Sequence, residues 1–180
     1  SFISSLKSLN ADIFIIISFR ILPKSIYSMP KYGSINIHAS YLPEYPGASP
    51  IQRSIINGEN YLGLTSFILN DTIDRGDIIK QKRIKISDKI IYGEAYDLLS
   101  DLSSDFLLSS LEEIKTHVPI KQNESIKEYA KKIKKNEYKI SLNNNCVNIH
   151  NQFRGLTPPG PFLLLNNKRV KLFNTYYLLN

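Results

Sequence analysis

The 180-residue sequence has little cysteine, no tryptophan and no long apolar stretch. Its one cysteine, Cys146, cannot form an internal disulfide, which excludes a cross-linked secreted scaffold and favours a reducing, cytoplasmic compartment. The apolar runs fall short of the roughly 20 residues that a transmembrane helix needs, so we expect no membrane span. A hydrophobic content of 42% with 11% aromatic residues is typical of a globular protein that buries a core.

The sequence also lacks an initiator methionine and a signal peptide, and it begins inside a predicted helix that leads into a strand. We therefore interpret the chain as a fragment whose first elements are missing.

The sequence has no excess of acidic residues, and its formal net charge is +7. Between Lys115 and Lys139, eight lysines and three glutamates contribute +5 of that total. The charge is compatible with an anionic partner such as nucleic acid. A composition rich in Ile, Lys and Asn explains it equally well, so the alternative of a solvated surface stays open.

Hydrophobic periodicity predicts an α/β fold. The run of apolar residues at 12–18 predicts a strand covered on both faces, as in a parallel sheet. Alternation over 34–40 predicts a second strand, and helical spacing between 93 and 116 predicts a long helix. The other predicted elements are helices over 2–9, 51–57, 125–135 and about 145–153, strands over 64–69 and 77–86, and a β-hairpin of 162–165 with 169–173.

The strand over 34–40 places Asn36 and His38 on one face, opposite Ile35 and Ile37. Such a polar pair is, by itself, more often a hydrogen-bonded structural pair than a catalytic site. Asp74 lies in a polar, turn-forming segment and also has two interpretations. It is either a catalytic carboxylate or a turn residue with no catalytic role, because Ile73-Asp74-Arg75-Gly76 would make a tight turn.

The order of these residues resembles the signature of the 10-formyltetrahydrofolate-dependent formyltransferases. The matching pattern is Asn36-x-His38-x-Ser40-x-Leu42-Pro43, then Gly47, then Ile73-Asp74-x-Gly76. The resemblance implies a Rossmann-like formyltransferase domain, incomplete at its N-terminus, followed by the start of a β-rich, OB-like C-terminal domain. It places the catalytic domain at 1–117, a basic linker at 118–136 and the partial C-terminal domain at 137–180.

The resemblance also implies a catalytic trio of Asn36, His38 and Asp74. Formyl transfer to an amine passes through a tetrahedral intermediate, whose negative oxygen needs preorganised donors such as an Asn amide and a His N–H. The amine must lose a proton and the folate nitrogen must gain one, so a carboxylate that relays protons is needed. By resemblance Asp74 has that role, and no metal is implied.

The formyl donor implied by the family is 10-formyltetrahydrofolate, a co-substrate. The pocket for it would lie at the carboxyl end of a strand, where α/β sheets bind ligands. The residues that the resemblance assigns to this pocket are Arg20, Ile21, Leu22, Ser40, Tyr41, Leu42, Pro43, Asn70, Asp71, Thr72 and Ile73. Tyr41 stands where Leu is more usual.

Three features favour the family member that formylates methionyl initiator tRNA: the segment from Pro50 to Gly58, the linker-like Tyr129-Ala130-Lys131-Lys132-Ile133, and the β-rich C-terminal part. The expected tRNA-contacting lysines are Lys131, Lys132, Lys134 and Lys135. Glu44-Tyr45-Pro46 departs from a basic, aromatic tract, and 154–160 lacks the usual Trp. We expect a monomer. The alternatives are an enzyme acting on an amino-sugar nucleotide or glycinamide ribonucleotide, and a non-catalytic folate- or RNA-binding remnant.

Overall fold

The computed structural model describes residues 2–17, 21–123, 125 and 128–178. The chain divides into two compact units. The first comprises Ser1–Pro46, Gly63–Lys82 and Leu102–Tyr129, and the second comprises Gly47–Leu62, Arg83–Asp101 and Ala130–Asn180. No helix in the described part of the chain is both long enough and apolar enough to cross a membrane.

The helices and strands agree closely with the hydrophobic pattern of the sequence. The helices are α1 (Phe2–Ser8), α2 (Lys24–Tyr27), α3 (Pro50–Ile56), α4 (Tyr92–Thr116) and α5 (Cys146–Gly155), with a 3-10 helix at Lys135–Tyr138. The strands are β1 (Phe14–Ile16), β2 (Ser34–His38), β3 (Tyr61–Ile68), β4 (Ile78–Lys85), β5 (Phe162–Leu165) and β6 (Lys168–Lys171).

A four-stranded sheet has the order β1-β2-β3-β4. β1 and β2 are parallel, whereas β2 and β3 are antiparallel, so the sheet is mixed and not parallel throughout. Ile15 on β1 is 41% exposed. The prediction that both faces of this strand are covered is therefore wrong for Ile15.

The core of the first unit surrounds β2 and β3. Ile35 and Phe67 are fully buried, and Leu64 and Phe106 are nearly so. Burial of such side chains stabilises each by about 1.5–3 kcal/mol relative to an exposed position. The buried apolar face of β2 thus fixes the register of the strand, and the register decides where Asn36 and His38 lie.

Local sequence signals set the elements of the second unit. Asn145 caps α5 by accepting a hydrogen bond from the Asn148 amide at 2.8 Å. β5 and β6 form the predicted hairpin, and its two-residue turn, Asn166-Asn167, has positive φ angles of 48° and 60°. Ile55, Leu156 and Phe153 are buried in this unit.

The predicted basic helix over 125–135 is wrong within the described residues. Residues 128–134 form no helix, and Ala130 makes a parallel β-bridge with Gly47. The Ala130 carbonyl accepts a hydrogen bond from the Ser49 amide at 3.1 Å. Tertiary hydrogen bonds of this kind outweigh the weak helical periodicity of the segment.

Candidate active site

His38 and Asp74 meet at the carboxyl end of β2. Nδ1 of His38 lies 3.8 Å from Oδ2 of Asp74, and the exposed fractions of the two side chains are 9% and 17%. This distance exceeds that of a hydrogen bond but lies within the range of an ion pair. The tight turn that contains Asp74 therefore brings its carboxylate within ion-pair distance of His38.

The other ring nitrogen of His38 determines the tautomer. Nε2 lies 2.9 Å from the backbone carbonyl oxygen of Tyr45, and a carbonyl only accepts, so Nε2 carries the hydrogen. In a neutral His38, Nδ1 then presents a lone pair to Asp74.

Asn36 lies on the same strand, two residues before His38. Its Nδ2 donates a hydrogen bond of 2.9 Å to the carbonyl oxygen of Ile16. An amide nitrogen has two N–H groups, so one remains for a ligand. The contact with β1 fixes the orientation of the amide.

An unusual backbone holds Asp74. Its φ angle is +53°, in the left-handed region that non-glycine residues seldom occupy and that Asp and Asn tolerate best. Two residues later, a Cβ on Gly76 would lie only 1.5 Å from the carbonyl oxygen of Ile68. The side-chain amide of Gln122 donates to the carbonyl oxygens of Asp74 and Gly76, at 3.0 Å and 2.8 Å.

A cleft that opens to solvent adjoins these residues. It is lined by Ile16, Ile21, Leu22, Tyr27, Asn36, Leu69, Asn70, Thr72, Ile73 and Asp74. Two members of the predicted trio, Asn36 and Asp74, thus share a cleft, and the third, His38, contacts Asp74.

Ten of the eleven predicted folate residues divide into three groups. Five of them line the cleft: Ile21, Leu22, Asn70, Thr72 and Ile73. The residues over 40–43 do not line it; Leu42 and Ser40 are buried, and the Ser40 hydroxyl donates to the carbonyl oxygen of Glu44. Arg20 lies outside the described residues.

Asp71 does not line the cleft, although it belongs to the predicted wall. The Tyr27 hydroxyl donates a hydrogen bond of 2.5 Å to Oδ1 of Asp71, and Lys24 Nζ lies 3.7 Å from Oδ2. The hydroxyl hydrogen bond, aided by the Lys24 charge, lowers the pKa of Asp71, and the same hydrogen bond raises the pKa of Tyr27. This pair ties α2 to the segment over 70–74.

Sequence reasoning did not identify Tyr27, Tyr45 or Gln122 at this site. The Tyr45 contribution is a backbone carbonyl, which no residue type can signal. Gln122 lies in a stretch with no periodic pattern, within the predicted linker over 118–136. Tyr27, at the end of a short helix, offered at most its aromatic character as a signal.

The four predicted tRNA-contacting lysines, Lys131, Lys132, Lys134 and Lys135, are all exposed. The backbone of this stretch is held in place, because Arg53 Nε donates a hydrogen bond of 2.9 Å to the carbonyl oxygen of Lys131. Arg53 also makes a two-pronged ion pair with Glu137, at 2.6 Å and 3.0 Å, which lowers the pKa of Glu137. The second unit thus presents a fixed stretch of backbone with lysines on its outer side.

Both parts of the chain are similar to known proteins. Residues 1–111 match the formyl transferase family and residues 132–180 match the formyl transferase C-terminal domain. The methionyl-tRNA formyltransferases of Lachnospira eligens and Caldicellulosiruptor saccharolyticus are 37% and 39% identical to this chain, over 97% and 95% of its length. In both comparisons the chain spans 56% of the relative's length.

Among solved structures, an N-formyltransferase from Helicobacter canadensis in complex with folinic acid and dTDP-3-aminofucose superposes with a TM-score of 0.72. The match covers 87% of this chain and 60% of that one, at 24% identity, and shows a shared fold. Together with the sequence matches over both parts of the chain, this shows that the chain belongs to the formyl transferase family.

Proposed function

We propose that this chain carries the site of a cytoplasmic methionyl-tRNA formyltransferase, which transfers the formyl group of 10-formyltetrahydrofolate to the amino group of methionyl initiator tRNA. The observation that carries the proposal is the approach of Asp74 to His38 beside a cleft that Asn36 also lines. The acceptor is inferred from the two relatives of that name, which are similar to this chain over nearly all its length.

The lining of the cleft suits the pterin end of a folate. Ile21, Leu22 and Ile73 offer apolar surface for the faces of a flat ring. The side chain of Asn70 is already used within the wall, since Oδ1 accepts from the Thr72 amide and Nδ2 donates to the Arg75 carbonyl oxygen. Hydrogen bonds to the ring edge would therefore come mainly from backbone groups.

Asn36 has the role of an oxyanion donor. Attack of the amine on the formyl carbon gives a tetrahedral intermediate with a negative oxygen, which the remaining N–H of Asn36 stabilises. Because the amide is already oriented by Ile16, the donor needs no rearrangement as the charge develops.

His38 and Asp74 manage the protons. With Nε2–H held by the Tyr45 carbonyl oxygen, Nδ1 is the ring atom that exchanges a proton with Asp74 or donates to the intermediate. The attacking amine loses one proton, and the departing N10 of the folate gains one. Asp74 accepts the first and returns one to N10, so the products are the formylated amine and tetrahydrofolate, with no net change at the carboxyl group.

The exposed lysines Lys131, Lys132, Lys134 and Lys135 have the role of phosphate contacts for the tRNA. The Arg53–Glu137 pair contributes by holding their backbone in place, so less order needs to be gained on binding.

An acceptor assay tests the proposal. The purified protein is incubated with 10-formyltetrahydrofolate and, separately, methionyl initiator tRNA, an amino-sugar nucleotide such as dTDP-3-aminofucose, and glycinamide ribonucleotide. We expect formyl transfer to the tRNA alone. Transfer to either of the other acceptors, or folate binding without any transfer, would contradict it.

A further inference from the structure

The backbone that carries the Asp74 carboxylate adopts a restricted conformation. Asp74 has a φ angle of +53°, and Gly76 leaves no room for a side chain. A segment in this conformation persists only when its surroundings fix it. Groups that hold the backbone carbonyls of Asp74 and Gly76 therefore decide where the carboxylate of Asp74 points.

Gln122 holds both carbonyls. Its Nε2 lies 3.0 Å from the carbonyl oxygen of Asp74 and 2.8 Å from that of Gly76, so the two N–H groups of the amide are both used. The backbone two residues before Gln122 is anchored as well, because Ile120 and Ile78 exchange two backbone hydrogen bonds of 2.7 Å. Gln122 itself is only 7% exposed.

The surroundings of the Gln122 amide show that its N–H groups, and not its oxygen, hold the backbone. Both groups facing Nε2 are carbonyl oxygens, which only accept, so the amide orientation is determined. Oε1 is buried and has no hydrogen-bond partner among the described residues, an arrangement that costs stability. The contribution of Gln122 therefore lies in its two N–H groups.

We propose that Gln122 is a positioning residue for Asp74, whose amide fixes the backbone over 74–76 so that the carboxylate faces His38. The inference rests on the proposed function, since it assigns Gln122 a part in formyl transfer. It gives a catalytic consequence to a stretch whose sequence resembles a linker.

Two substitutions and a matched control test the proposal in the purified protein. Gln122→Met keeps the length of the side chain but removes both donors, and Gln122→Glu keeps the shape but turns an acceptor toward two carbonyls. Lys121→Met introduces the same residue at an exposed neighbouring position. We expect kcat to fall about 10- to 100-fold in both Gln122 variants, with KM for the folate changed less than about threefold, because the loss is one of alignment. Lys121→Met should retain its kcat.

A pH profile separates positioning from a mere loss of packing. The buried carboxyl introduced by Gln122→Glu has a raised pKa, and its protonated form donates one hydrogen bond. As the pH is lowered from about 8 to about 6, the kcat of Gln122→Glu relative to that of the unsubstituted protein should therefore rise several-fold. The relative kcat of Gln122→Met should not rise. A kcat retained in Gln122→Met, or parallel profiles for the two variants, would overturn the proposal.

Hydrogen exchange provides a measurement that does not depend on the acceptor. Backbone amides over 70–77 should exchange faster in Gln122→Met than in Lys121→Met, at equal global stability. Unchanged exchange would overturn the inference even if the protein formylates tRNA. A third outcome is that the unsubstituted protein transfers no formyl group, while exchange over 70–77 is still faster in Gln122→Met. In that case the proposed function is wrong and so is the catalytic role of Gln122, but the support that Gln122 gives to the backbone over 74–76 is confirmed.

Discussion

Nδ1 of His38 lies 3.8 Å from Oδ2 of Asp74, although β3 separates the two residues along the chain. Because Nε2 of the same ring is bound to the Tyr45 carbonyl oxygen, Nδ1 is the ring atom that faces Asp74. In the proposed function, proton transfer therefore depends on the charge of Asp74.

The first prediction concerns that charge. Asp74→Asn removes it but keeps the backbone, since Asn tolerates a φ angle of +53° at least as well as Asp. We expect formyl transfer to be abolished with little change in the free energy of unfolding. The measurements are the initial rate of transfer and a denaturant titration.

Two neighbouring carboxylates provide the controls. Asp71→Asn retains an oxygen that accepts the hydrogen bond from Tyr27, and Asp77 is exposed. Both variants should keep most of their activity at matched folded fraction. An inactive Asp77→Asn beside an active Asp74→Asn would show that the motif is assigned to the wrong carboxylate.

The second prediction concerns the donors on β2. Asn36→Ala and His38→Ala should each lower turnover by roughly 100-fold or more, because one oxyanion donor contributes about 3 kcal/mol in the transition state. Folate should still bind, since the cleft keeps its apolar lining. Steady-state kinetics beside a folate titration measure the two effects, and rates within a few-fold of normal for both variants would disprove the site.

The third prediction concerns the exposed lysines. Replacing Lys131, Lys132, Lys134 and Lys135 with Gln should weaken tRNA binding and flatten its salt dependence, by about one unit of slope per lost phosphate contact. Folate affinity should not change. The measurement is the tRNA dissociation constant at several salt concentrations.

A variant of equal charge provides the control for the lysines. Replacing the exposed residues Lys7, Lys31, Lys82 and Lys89 with Gln removes the same charge from elsewhere on the chain. If the two variants reduce the slope equally, only net charge matters and the lysines over 131–135 form no specific contact.

The fourth prediction concerns Arg53 and Glu137. Hydrogen bonds from Arg53 lower the pKa of Glu137 from its ordinary value of 4.5, so the folded state favours the ionised carboxylate. The stabilisation is therefore present above about pH 4.5 and is lost as the pH falls through the lower pKa of the folded state. Arg53→Met should lower the free energy of unfolding by about 1–3 kcal/mol at neutral pH and by less in acid.

An exposed ion pair offers a comparison for Arg53. Lys115 and Glu112 are 58% and 75% exposed, and such pairs contribute about 0–1 kcal/mol. Lys115→Met should therefore change stability much less than Arg53→Met. Equal effects at neutral pH, or an Arg53→Met effect that does not shrink in acid, would count against the stabilising role of the Arg53–Glu137 pair.

Much of the fold follows from local patterns. The alternation of Ile35 and Ile37 with Asn36 and His38 predicts both the strand and its two faces, and burial of Ile35 in the core holds the strand in this register. The Asn166-Asn167 turn is predicted for a similar reason, since both residues tolerate positive φ angles. The predicted basic helix over 125–135 is absent from the described residues of that range, because its pattern is weak and the backbone at Ala130 forms a bridge with Gly47.

The sequence by itself determined the residue types of the site and their order along the chain: an amide, an imidazole and a carboxylate in a motif that resembles one family. Only the tertiary structure decided which atoms meet. The tautomer of His38 depends on the Tyr45 carbonyl oxygen, and the aim of Asp74 depends on Gln122, both of which are contacts made through backbone groups. Every residue carries the same backbone carbonyl, so no pattern of side chains can reveal which one a distant residue will bind.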